Sequence, residues 1–577
     1  MTMETQTRFN WGEIVRLGLL AGVIALVLNL IGVVGTFSDV DVIGGVLTVG
    51  HVFLFGATIG CAYLAAQRIG GDRTGQVLVG GLVLGLLSSL PMILLVIVGG
   101  LVDADGEVLL RQFLPNVSHD LLDIILTFGR GQVVGSLILA ATASVLGGVG
   151  SGFYLLPSRV RRPLFAGLGT VLLVGLLAET IILAWGNQGL GLAIRRVVFA
   201  QRGLSMLGAS LLFLIVAGLN AWWGSRGGQI KERVSALPPG QQRNLRWSGI
   251  VLAFLVVLFL PVILRTYLTE VMDNVGIYIL MGLGLNIVVG LAGLLDLGYV
   301  AFFAIGAYVM GVLTSYGDLG IAGMSFWAAL PIAVGAAVLA GIILGIPVLR
   351  MRGDYLAIVT MGFGEIIRIL AISDWLAPVI GGAQGILLIP KIPVIGLEGG
   401  LVTPERLYYM ILAGCLLAFF VSWRLRDARL GRQWMAVRED EDVAEAMGIN
   451  LTKVKLLAFA IGAGFSGLAG AIFATKIGSV FPHSFQLLVS VNVLCLIIVG
   501  GIGSFPGVVV GALLLVGLPE LLREFAEYRM LMYGALLIVM MLARPEGFWP
   551  SEVRKRELRV NEEGPLPSGG GSLIEPV

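Results

Sequence analysis

The feature that most constrains this chain is a succession of apolar runs that are long enough to cross a bilayer. A helix needs about 20 mostly apolar residues to span the hydrocarbon core, and such runs recur along nearly all of the 577 residues. Only 13% of the residues are charged, roughly half of the share in a soluble protein, so lipid must be the solvent for most of the chain. The runs do not alternate between apolar and polar residues, as the strands of a membrane β-barrel would. The sequence therefore predicts an all-α polytopic membrane protein.

Hydropathy places about sixteen transmembrane or re-entrant helices in the chain, and the shortest runs are the candidates for re-entrant segments. Six lie in the first part, at residues 14–34, 42–66, 76–99, 131–156, 164–185 and 204–223. Ten lie in the second part, at residues 248–264, 275–295, 297–314, 325–349, 355–372, 406–423, 455–475, 485–502, 507–518 and 531–542.

A polar stretch that contains Pro, Lys and Arg, residues 224–247, marks the one clear boundary, and we interpret it as a cytoplasmic linker. Residues 1–223 are predicted to form an accessory N-terminal transmembrane domain of unknown role, and a decayed duplication of the second domain stays open as its origin. Residues 248–550 are predicted to form the second transmembrane domain. Residues 551–577 include Pro-Leu-Pro-Ser-Gly-Gly-Gly-Ser, which cannot bury a core, so we expect a disordered cytoplasmic tail.

The distribution of Lys and Arg predicts the orientation, because short cytoplasmic loops carry the excess of these residues. With both termini in the cytoplasm, the basic clusters at residues 424–438 and 554–556 face the cytoplasm. The same orientation sends the acidic stretch 103–107 to the outer side. One basic segment, residues 195–202, disagrees, since it falls on the outer side. Both termini inside is still the orientation that most of the charge favours.

Several classes of function find no support in the residues. Cys61, Cys415 and Cys495 lie inside apolar runs and the three His residues are scattered, so the sequence indicates neither a disulfide framework nor a metal site. A net charge of +2 gives no reason to expect a nucleic-acid partner. No G-x-x-x-x-G-K-[ST] motif occurs, so we expect any ATP hydrolysis in another chain, and the glycines at 500–503 are better explained by a tight bend. No nucleophile–base constellation appears, so we predict neither an enzyme nor a bound cofactor.

Residues 423–455 form the largest strongly charged loop, and its sequence predicts a short helix along the membrane surface. The acidic residues 439–442 suit the positive end of a helix dipole, and Gly448 suits the left-handed residue that ends a helix. Val443 and Met447 lie four residues apart and give the helix a small apolar face. Two interpretations stay open: a solvated connection between spans, or a helix that docks in the cleft of a partner and transmits its movement.

Polar residues inside the spans are candidates for a substrate path, because such residues are costly in lipid. Asp296 lies between Gly293 and Gly298, where a broken helix would expose backbone groups to a zwitterionic substrate, or where Asp296 simply caps the next helix. Glu365 and Arg368 are three residues apart, which favours a structural ion pair, and asparagines in spans commonly bond one helix to another. The candidate path residues are Asn286, Asp296, Tyr299, Glu365 and Asn492.

Residues 445–448, Glu-Ala-Met-Gly, resemble the cytoplasmic coupling motif of ABC-importer permeases. Four further segments are similar to the branched-chain amino acid permease family, and above all to its LivM-type subunit: residues 283–308, 352–368, 490–507 and 544–550. Together they cover nearly all of the second domain. One departure is Gly-Gly-Ala-Gln-Gly at residues 381–385, where the family has a Gly-Gly-Pro-x-Gly-like stretch. The missing Pro removes a fixed φ, which bears on the substrate more than on the class.

The resemblance implies that residues 248–550 are a permease domain, one half of a heterodimeric pore in a bacterial or archaeal cell membrane. It implies a second, LivH-like permease subunit, two ABC ATPase subunits of the LivG and LivF type, and an extracytoplasmic solute-binding protein as partners within the lipid bilayer. Closure of the ATPases on ATP would move the loop helix and drive alternating access. The residues implied to couple to the ATPase are Arg438, Glu439, Asp442, Glu445, Ala446 and Gly448.

The cargo that the resemblance implies is a branched-chain or related amino acid. A permease for urea or amides within the same family is the alternative. An ion-coupled secondary transporter that works alone is a weaker alternative, because ion coupling usually needs carboxylates at the membrane midplane and these are sparse in the chain.

Overall fold

A computed structural model of the chain describes residues 11–69, 74–99, 114, 116–117, 121–185, 195, 197–200, 203–236, 238–348, 351, 353–392, 404–521, 527–544 and 546–550. Helices account for almost all of this structure, apart from a two-stranded antiparallel hairpin of β1 (Asp41–Ile43) and β2 (Leu47–Thr48). The chain forms two compact units, residues 1–250 and 251–577. The predicted all-α polytopic class is confirmed, and the predicted tail 551–577 lies outside the described residues.

Eleven helices in the described part of the chain are long and apolar enough to cross a membrane. They are Trp11–Leu30, Val49–Arg68, Thr74–Gly99, Gln132–Leu155, Met206–Arg226, Gly240–Val262, Thr266–Leu291, Phe326–Pro347, Tyr355–Ile372, Pro404–Asp427 and Leu451–Ile477. A twelfth span results if the bent pair Leu487–Gly500 and Phe505–Leu521, which turns by 118°, counts as one. Two further apolar helices, Val300–Thr314 and Tyr533–Leu542, are shorter. Several of the sixteen predicted crossings therefore correspond to short or bent helices.

The first unit is a helical bundle whose members approach closely at small residues. Its helices are α1 (Trp11–Leu30), α2 (Val33–Thr36), α3 (Val49–Ile69), α4 (Thr74–Gly99), α5 (Gln132–Leu155), α6 (Ser158–Leu176), α7 (Ala178–Trp185) and α8 (Met206–Ser235), with a π-helical turn at Leu121–Leu126. A Cβ added at Gly147 on α5 would lie 2.9 Å from the Gly85 Cα on α4. A Cβ added at Gly150 would lie 2.6 Å from the Ile59 carbonyl oxygen on α3. Such contacts hold helices together in lipid, where no hydrophobic force drives them.

Three predicted spans of this unit differ from the structure. The span predicted at 14–34 is interrupted at residues 31–32, between α1 and α2. The span predicted at 42–66 begins only at Val49, because the preceding residues form the β1–β2 hairpin. Gly45 has a φ of +71° there, a value that glycine adopts without a steric penalty. The span predicted at 164–185 is interrupted at Leu177, between α6 and α7, so it is not one continuous crossing.

The residues predicted as a linker, 224–247, are mostly helical. Helix α8 extends to Ser235, and α9 (Pro239–Leu285) begins at Pro239, which suits the first turn of a helix because it lacks an N–H to satisfy. Helix α9 contains two of the candidate spans, Gly240–Val262 and Thr266–Leu291 when the π-helical turn that follows it is included.

The second unit is organised around helix α17, Leu451–Ile477. After α9 come α10 (Val300–Thr314), α11 (Phe326–Val348), α12 (Asp354–Ile372), α13 (Ala377–Ile380), α14 (Pro404–Asp427), α15 (Arg429–Glu439), α16 (Glu441–Ala446), α17 (Leu451–Ile477), α18 (Leu487–Gly500), α19 (Phe505–Ala512), α20 (Leu518–Leu521) and α21 (Arg529–Ala543). Helix α17 packs on α10 and α11. A Cβ added at Gly306 on α10 would lie 2.6 Å from the Gly467 Cα on α17, so these two backbones are nearly in contact.

Helices are interrupted at two places in this unit. Helix α9 passes into a π-helical turn, Asn286–Leu291, and residues 292–299 are not helical before α10 begins. In the bent pair, α18 is the first arm, and the second arm runs from α19 through a π-helical turn, Leu513–Gly517, to α20. Gly501 (φ +120°) and Gly503 (φ +79°) lie in the bend. The predicted crossings at 297–314, 485–502 and 507–518 are therefore one short helix and the two arms of a bend. Irregular backbone at membrane depth occurs where protein surrounds it, as it does here.

Candidate functional site: the coupling loop and the broken helix

The charged loop is shorter than predicted and contains two helices instead of one. Trp423 still belongs to α14 and Lys455 already belongs to α17, so the connection runs from residue 428 to residue 450. Its helices are α15 and α16, which we call together the coupling element. Glu439, which we placed in the first turn of the short helix, ends α15 instead, because Asp440 separates the two helices in an extended conformation.

Both ends of α16 are stabilised. The Asp440 carboxylate accepts hydrogen bonds from the backbone N–H groups of Asp442 (2.9 Å) and Val443 (3.0 Å), which is the arrangement of an N-cap. Gly448 has a φ of +85°, as predicted for the residue that ends a helix. A helix of six residues is too short to be stable by itself, so these caps and its contacts with the protein define its position.

The outward face of α16 is apolar at its centre and acidic at its rim. Val443 is 59% exposed and Met447 is 79% exposed. All but one of the predicted coupling residues are exposed around them: Glu439, Asp442, Glu445, Ala446 and Gly448. The predicted apolar face of this helix is thus present, and it points away from the rest of the unit.

The inward face of the coupling element is fixed to α17 by buried polar contacts. Lys455 on α17 forms an ion pair of 2.7 Å with Glu441, and the Lys455 side chain is only 5% exposed. The Trp434 indole N–H of α15 donates to the Val454 carbonyl at 2.8 Å, and Trp434 is completely buried. Ala444 of α16 is buried as well. The coupling element is therefore held to the start of α17 by an ion pair, a hydrogen bond and buried side chains.

Arg438 connects the coupling element to the broken helix. Its Nη1 donates to the Gly290 carbonyl at 2.7 Å, in the π-helical turn that ends the α9 span. Gly293, with a φ of +72°, lies against the same side chain, so that a Cβ there would be 2.8 Å from the Arg438 Cγ. A cleft of about 430 Å³ opens beside this contact, between the π-helical turn and the α18–α19 bend. Sequence reasoning included Arg438 among the coupling residues, but it did not identify this partner.

Asp296 holds the turn between the π-helix and α10. Its Oδ1 accepts from the Gly298 N–H at 2.9 Å, and the next helix begins only at Val300. Asp296 therefore stabilises a turn and does not cap the helix as the simpler alternative had it. The Val300 N–H donates instead to Ser490 Oγ at 2.8 Å. Ser490 was missed as a functional candidate, since a serine in an apolar run carries no local signal.

Gly298 lets this turn lie directly against α12. The Leu297 N–H donates to Thr360 Oγ1 at 3.0 Å, and a Cβ at Gly298 would collide with the Thr360 carbonyl oxygen. A close approach of this kind requires glycine. The turn is thus fitted between α12 and α18.

Two other predicted path residues also bond to backbone at the breaks. Asn286 Oδ1 accepts from the Gly503 N–H at 2.8 Å, which connects the π-helical turn to the α18–α19 bend. The Tyr299 hydroxyl donates to the Gly462 carbonyl of α17 at 2.8 Å. Asn286, Asp296 and Tyr299 are all completely buried. In this conformation they hold broken helices together.

Glu365 and Asn492 differ from these three because they are accessible. Arg368 Nε donates to both carboxylate oxygens of Glu365 at 3.0 Å, so the predicted ion pair is present. The side chains of Arg368 and Glu365 are 29% and 45% exposed, near the middle of α12. Asn492 is half-buried on α18. The structure thus places the five predicted path residues in two groups, one buried at the breaks and one accessible.

No group of three or more His, Cys, Asp or Glu side chains able to hold a metal ion occurs among the described residues. Most polar groups of the site bond to backbone or to each other, while Asn286 Nδ2 and Asp296 Oδ2 have no hydrogen-bond partner among the described residues. The arrangement consists of an exposed helix, an arginine and a broken span.

Comparison with known proteins identifies the family. The family described as the permease component of branched-chain amino acid transport systems matches residues 267–541. The high-affinity branched-chain amino acid transport system permease protein LivM of Escherichia coli K12 is 46% identical over 295 residues, which cover 48% of this chain and 68% of LivM. LivM of Salmonella typhimurium gives the same identity and coverage.

Two more distant relatives agree with this assignment. LivH of Escherichia coli K12 is 34% identical over 126 residues, covering 21% of this chain and 40% of LivH. BraD of Pseudomonas aeruginosa, also a high-affinity branched-chain amino acid permease protein, is 26% identical over 320 residues, covering 49% of this chain and 95% of BraD. No solved structure matches the chain. The chain belongs to the family of branched-chain amino acid permease components and is similar to LivM.

Proposed function

We propose that this chain is the permease subunit of an ABC importer for branched-chain or related amino acids, and that ATP is hydrolysed by separate subunits docked on α16. The observation that carries this proposal is the exposed apolar pair Val443 and Met447 on a helix whose ends are capped and whose underside is fixed. Exposed apolar side chains inside a charged rim are typical of protein-binding surfaces. The acidic rim fits a partner cleft with basic side chains, which would set the register of docking.

Movement of the ATPases would reach the spans through a short series of contacts. Displacement of α16 carries α15 with it, and Arg438 transmits the displacement to the Gly290 carbonyl. Asn286 passes it to the α18–α19 bend, and Lys455 passes it to α17. Each of these contacts is a hydrogen bond or an ion pair of 2.7–2.8 Å, so the coupling element cannot shift without moving the breaks.

The broken helix is where we propose that alternating access occurs. π-helical turns and left-handed glycines are places where a helix changes its direction at low energetic cost. Asn286, Asp296 and Tyr299 would then shape the moving joint and expose backbone groups to the substrate when it opens. If the same helices had no breaks, they would have to move as rigid bodies. A displacement of the coupling element would then have no joint to rearrange.

Glu365 and Asn492 are proposed to face the substrate path or the second permease subunit. Charged side chains in the middle of a span almost always face protein or a water-filled cavity, yet the Glu365–Arg368 pair is partly exposed on this chain alone. A LivH-like partner subunit would cover this face and complete the pore between the two subunits. The three buried path residues would thus act at the broken helix. Glu365 and Asn492 would act on the face toward the substrate path or the second subunit.

The remaining parts of the transporter follow from this assignment. We propose both termini in the cytoplasm of a prokaryotic cell, which places α15 and α16 on the side of the ATPases, and LivG- and LivF-like ATPases and an extracytoplasmic solute-binding protein as the other partners. Residues 1–223 would be an accessory domain. The eleven long helices, the two arms of the bent pair and the two short apolar helices would give fifteen crossings, and the interrupted pair α6 and α7 would give the sixteenth. Urea or amides are the alternative cargo, and the ligand of the binding protein distinguishes them.

The experiment is ATP-dependent leucine uptake by the complete transporter in proteoliposomes. Glu445→Lys reverses the charge of the rim, and Gly448→Val forces a β-branched residue into a left-handed conformation, which it adopts only with strain. Both variants should lose at least about tenfold of the uptake, the change that about 1.4 kcal/mol of coupling produces, while the protein remains folded in the membrane. Asp318→Lys, at an exposed acid outside the coupling element, is the control and should retain uptake. Normal uptake by both loop variants would refute the coupling role, and ion-driven uptake by this chain alone would favour a secondary transporter.

A further inference from the structure

A small polar cavity lies at the end of α17 that is remote from the coupling element. Its volume is about 120 Å³, and the polar residues that line it are Glu270, Asp273, Lys391, Thr475 and Lys476. A cavity volume of about 10–15 Å³ is enough to hold one water molecule. This cavity therefore has room for a larger polar group. None of its residues takes part in the coupling element or the broken helix.

Asp273 is the unusual member of this cavity. It is completely buried in the α9 span, and neither of its carboxylate oxygens accepts a hydrogen bond from any residue that the structure describes. Buried polar groups in proteins are nearly always bonded, because an unbonded one loses its hydration without compensation. A carboxylate offers only acceptors. The missing partner is therefore a group with N–H or O–H donors.

Lys476 does not fill that role. Its ammonium group donates to Asn274 Oδ1 and to the Glu270 carbonyl oxygen at 3.4 Å. No ion pair joins Lys476 to Asp273 among the described residues, although Lys476 lines the same cavity. A lysine held by other acceptors leaves the Asp273 oxygens available to a ligand.

Two other polar side chains of the cavity supply an acceptor and a cation. The Thr475 hydroxyl donates to the Ala471 and Ile472 carbonyls within its own helix, so it presents only its acceptor lone pairs to the cavity. Lys391 is exposed and has no polar partner in the described part of the chain. The cavity thus combines the buried acceptors of Asp273 with the exposed cation of Lys391, and Glu270 is exposed beside them. A buried acceptor together with an exposed cation is a charge pattern complementary to a zwitterion.

We propose that this cavity is a recognition subsite for the head group of the amino acid, with its α-ammonium group on Asp273 and its carboxylate toward Lys391. A primary ammonium has three donors, and two of them would satisfy the two Asp273 oxygens by charge-assisted bonds. The subsite rests on the proposed function for its cargo, and it deepens that function by assigning residues to the head group and not to the side chain. It lies on the face away from the ATPases, where the cargo arrives.

The first test needs no variant. The complete transporter in nanodiscs is treated with dicyclohexylcarbodiimide, which modifies carboxyl groups in apolar surroundings, and the modification of Asp273 is followed by peptide mass spectrometry. Ethylammonium and leucine should slow the modification about tenfold when each occupies about 90% of the sites, because only a tenth of the sites is then free to react. Tetramethylammonium, which has the charge but no N–H donor, should not. Equal protection by both cations, or protection by neither ethylammonium nor leucine, would overturn the proposal.

The second test is leucine uptake, which separates this inference from the proposed function. Asp273→Asn should raise KM at least about tenfold, as expected when one charge-assisted contact is lost, with a smaller change in Vmax. Asp318→Asn, at an exposed carboxyl group that does not line the cavity, is the control and should keep KM. Leucine import with an unchanged KM in Asp273→Asn would refute the subsite and leave the transporter function intact. Ethylammonium protection in a transporter that imports no amino acid would refute the proposed function and retain an ammonium site.

Discussion

Lys455 lies near the start of α17 and Lys476 near its end, and these two lysines are held in different ways. Lys455, near the start, is buried in an ion pair with Glu441, and the polar groups around it are bonded. Lys476, near the end, is held by an amide and a backbone carbonyl, while the neighbouring Asp273 has no hydrogen bond among the described residues. About 40 Å of helix separates the ends of α17. An end whose bonds are complete is suited to transmit force, and an end with an incomplete bond is suited to receive a ligand.

The largest expected effect comes from breaking the complete end. Lys455→Met removes the ammonium group that lies 2.7 Å from the mostly buried Glu441 carboxylate, and removal of one partner from a buried pair typically destabilises by about 3–5 kcal/mol. We expect a loss of this order in the free energy of unfolding, measured by denaturant titration of the purified protein in micelles. The double variant Lys455→Met, Glu441→Leu should recover most of the loss, since an apolar pair of similar volume is well tolerated. A loss below about 1 kcal/mol in the single variant would show that this end is not held by the pair.

An intermediate effect is expected from Arg438→Ala, which separates the coupling element from the broken helix. The lost hydrogen bond from a charged group is worth about 1.5–3 kcal/mol, and it lies on the route from the ATPases to the spans. We expect ATP hydrolysis by the complete transporter to continue while leucine uptake per ATP falls about tenfold or more. Arg438→Lys retains the charge and a donor, so its leucine uptake per ATP should lie between that of the parent protein and that of Arg438→Ala. Equal losses of hydrolysis and uptake in Arg438→Ala would mean that the arginine serves assembly and not transmission.

The smallest expected effect concerns the cap of α16. Asp440→Ala removes two hydrogen bonds to backbone N–H groups and should destabilise the coupling element by about 1 kcal/mol. Hydrogen exchange of the α16 amides should accelerate by about fivefold, with little change elsewhere in the unit. Asp440→Ser retains a capping oxygen and should behave like the parent. An unchanged exchange rate in Asp440→Ala would show that docking contacts alone position α16.

The sequence predicted the parts of the fold that depend on local pattern. Apolar runs predicted the positions of the main spans, and Gly448 and the pair Val443 and Met447 predicted the end and the outward face of α16. The hairpin at β1–β2 was missed, because an apolar strand and the start of an apolar helix look alike over a few residues. The separation of α15 from α16 was also missed, although Asp440 is a strong capping residue.

The roles of single polar residues could be predicted only in part. The Glu365–Arg368 pair followed from helical spacing, whereas the partners of Arg438 and Asn286 lie more than a hundred residues away in the sequence. Asp296 was identified as unusual, but its bond to Gly298 depends on the path of the turn. Asp273 was overlooked, since it lies next to other polar residues at the edge of a predicted span. An acidic residue just outside such an edge was the available signal.

The central claim is that the outward face of α16 is the place where ATPase subunits dock and drive transport. The most direct measurement places a charge at the centre of that face, in Met447→Glu, and follows both the ATPase subunits that co-purify with the chain and ATP-dependent leucine uptake. A buried unpaired charge at an interface typically costs several kcal/mol, so the account predicts loss of the ATPase subunits and of uptake from a chain that is still folded. Full retention of both by the Met447→Glu variant would contradict the account.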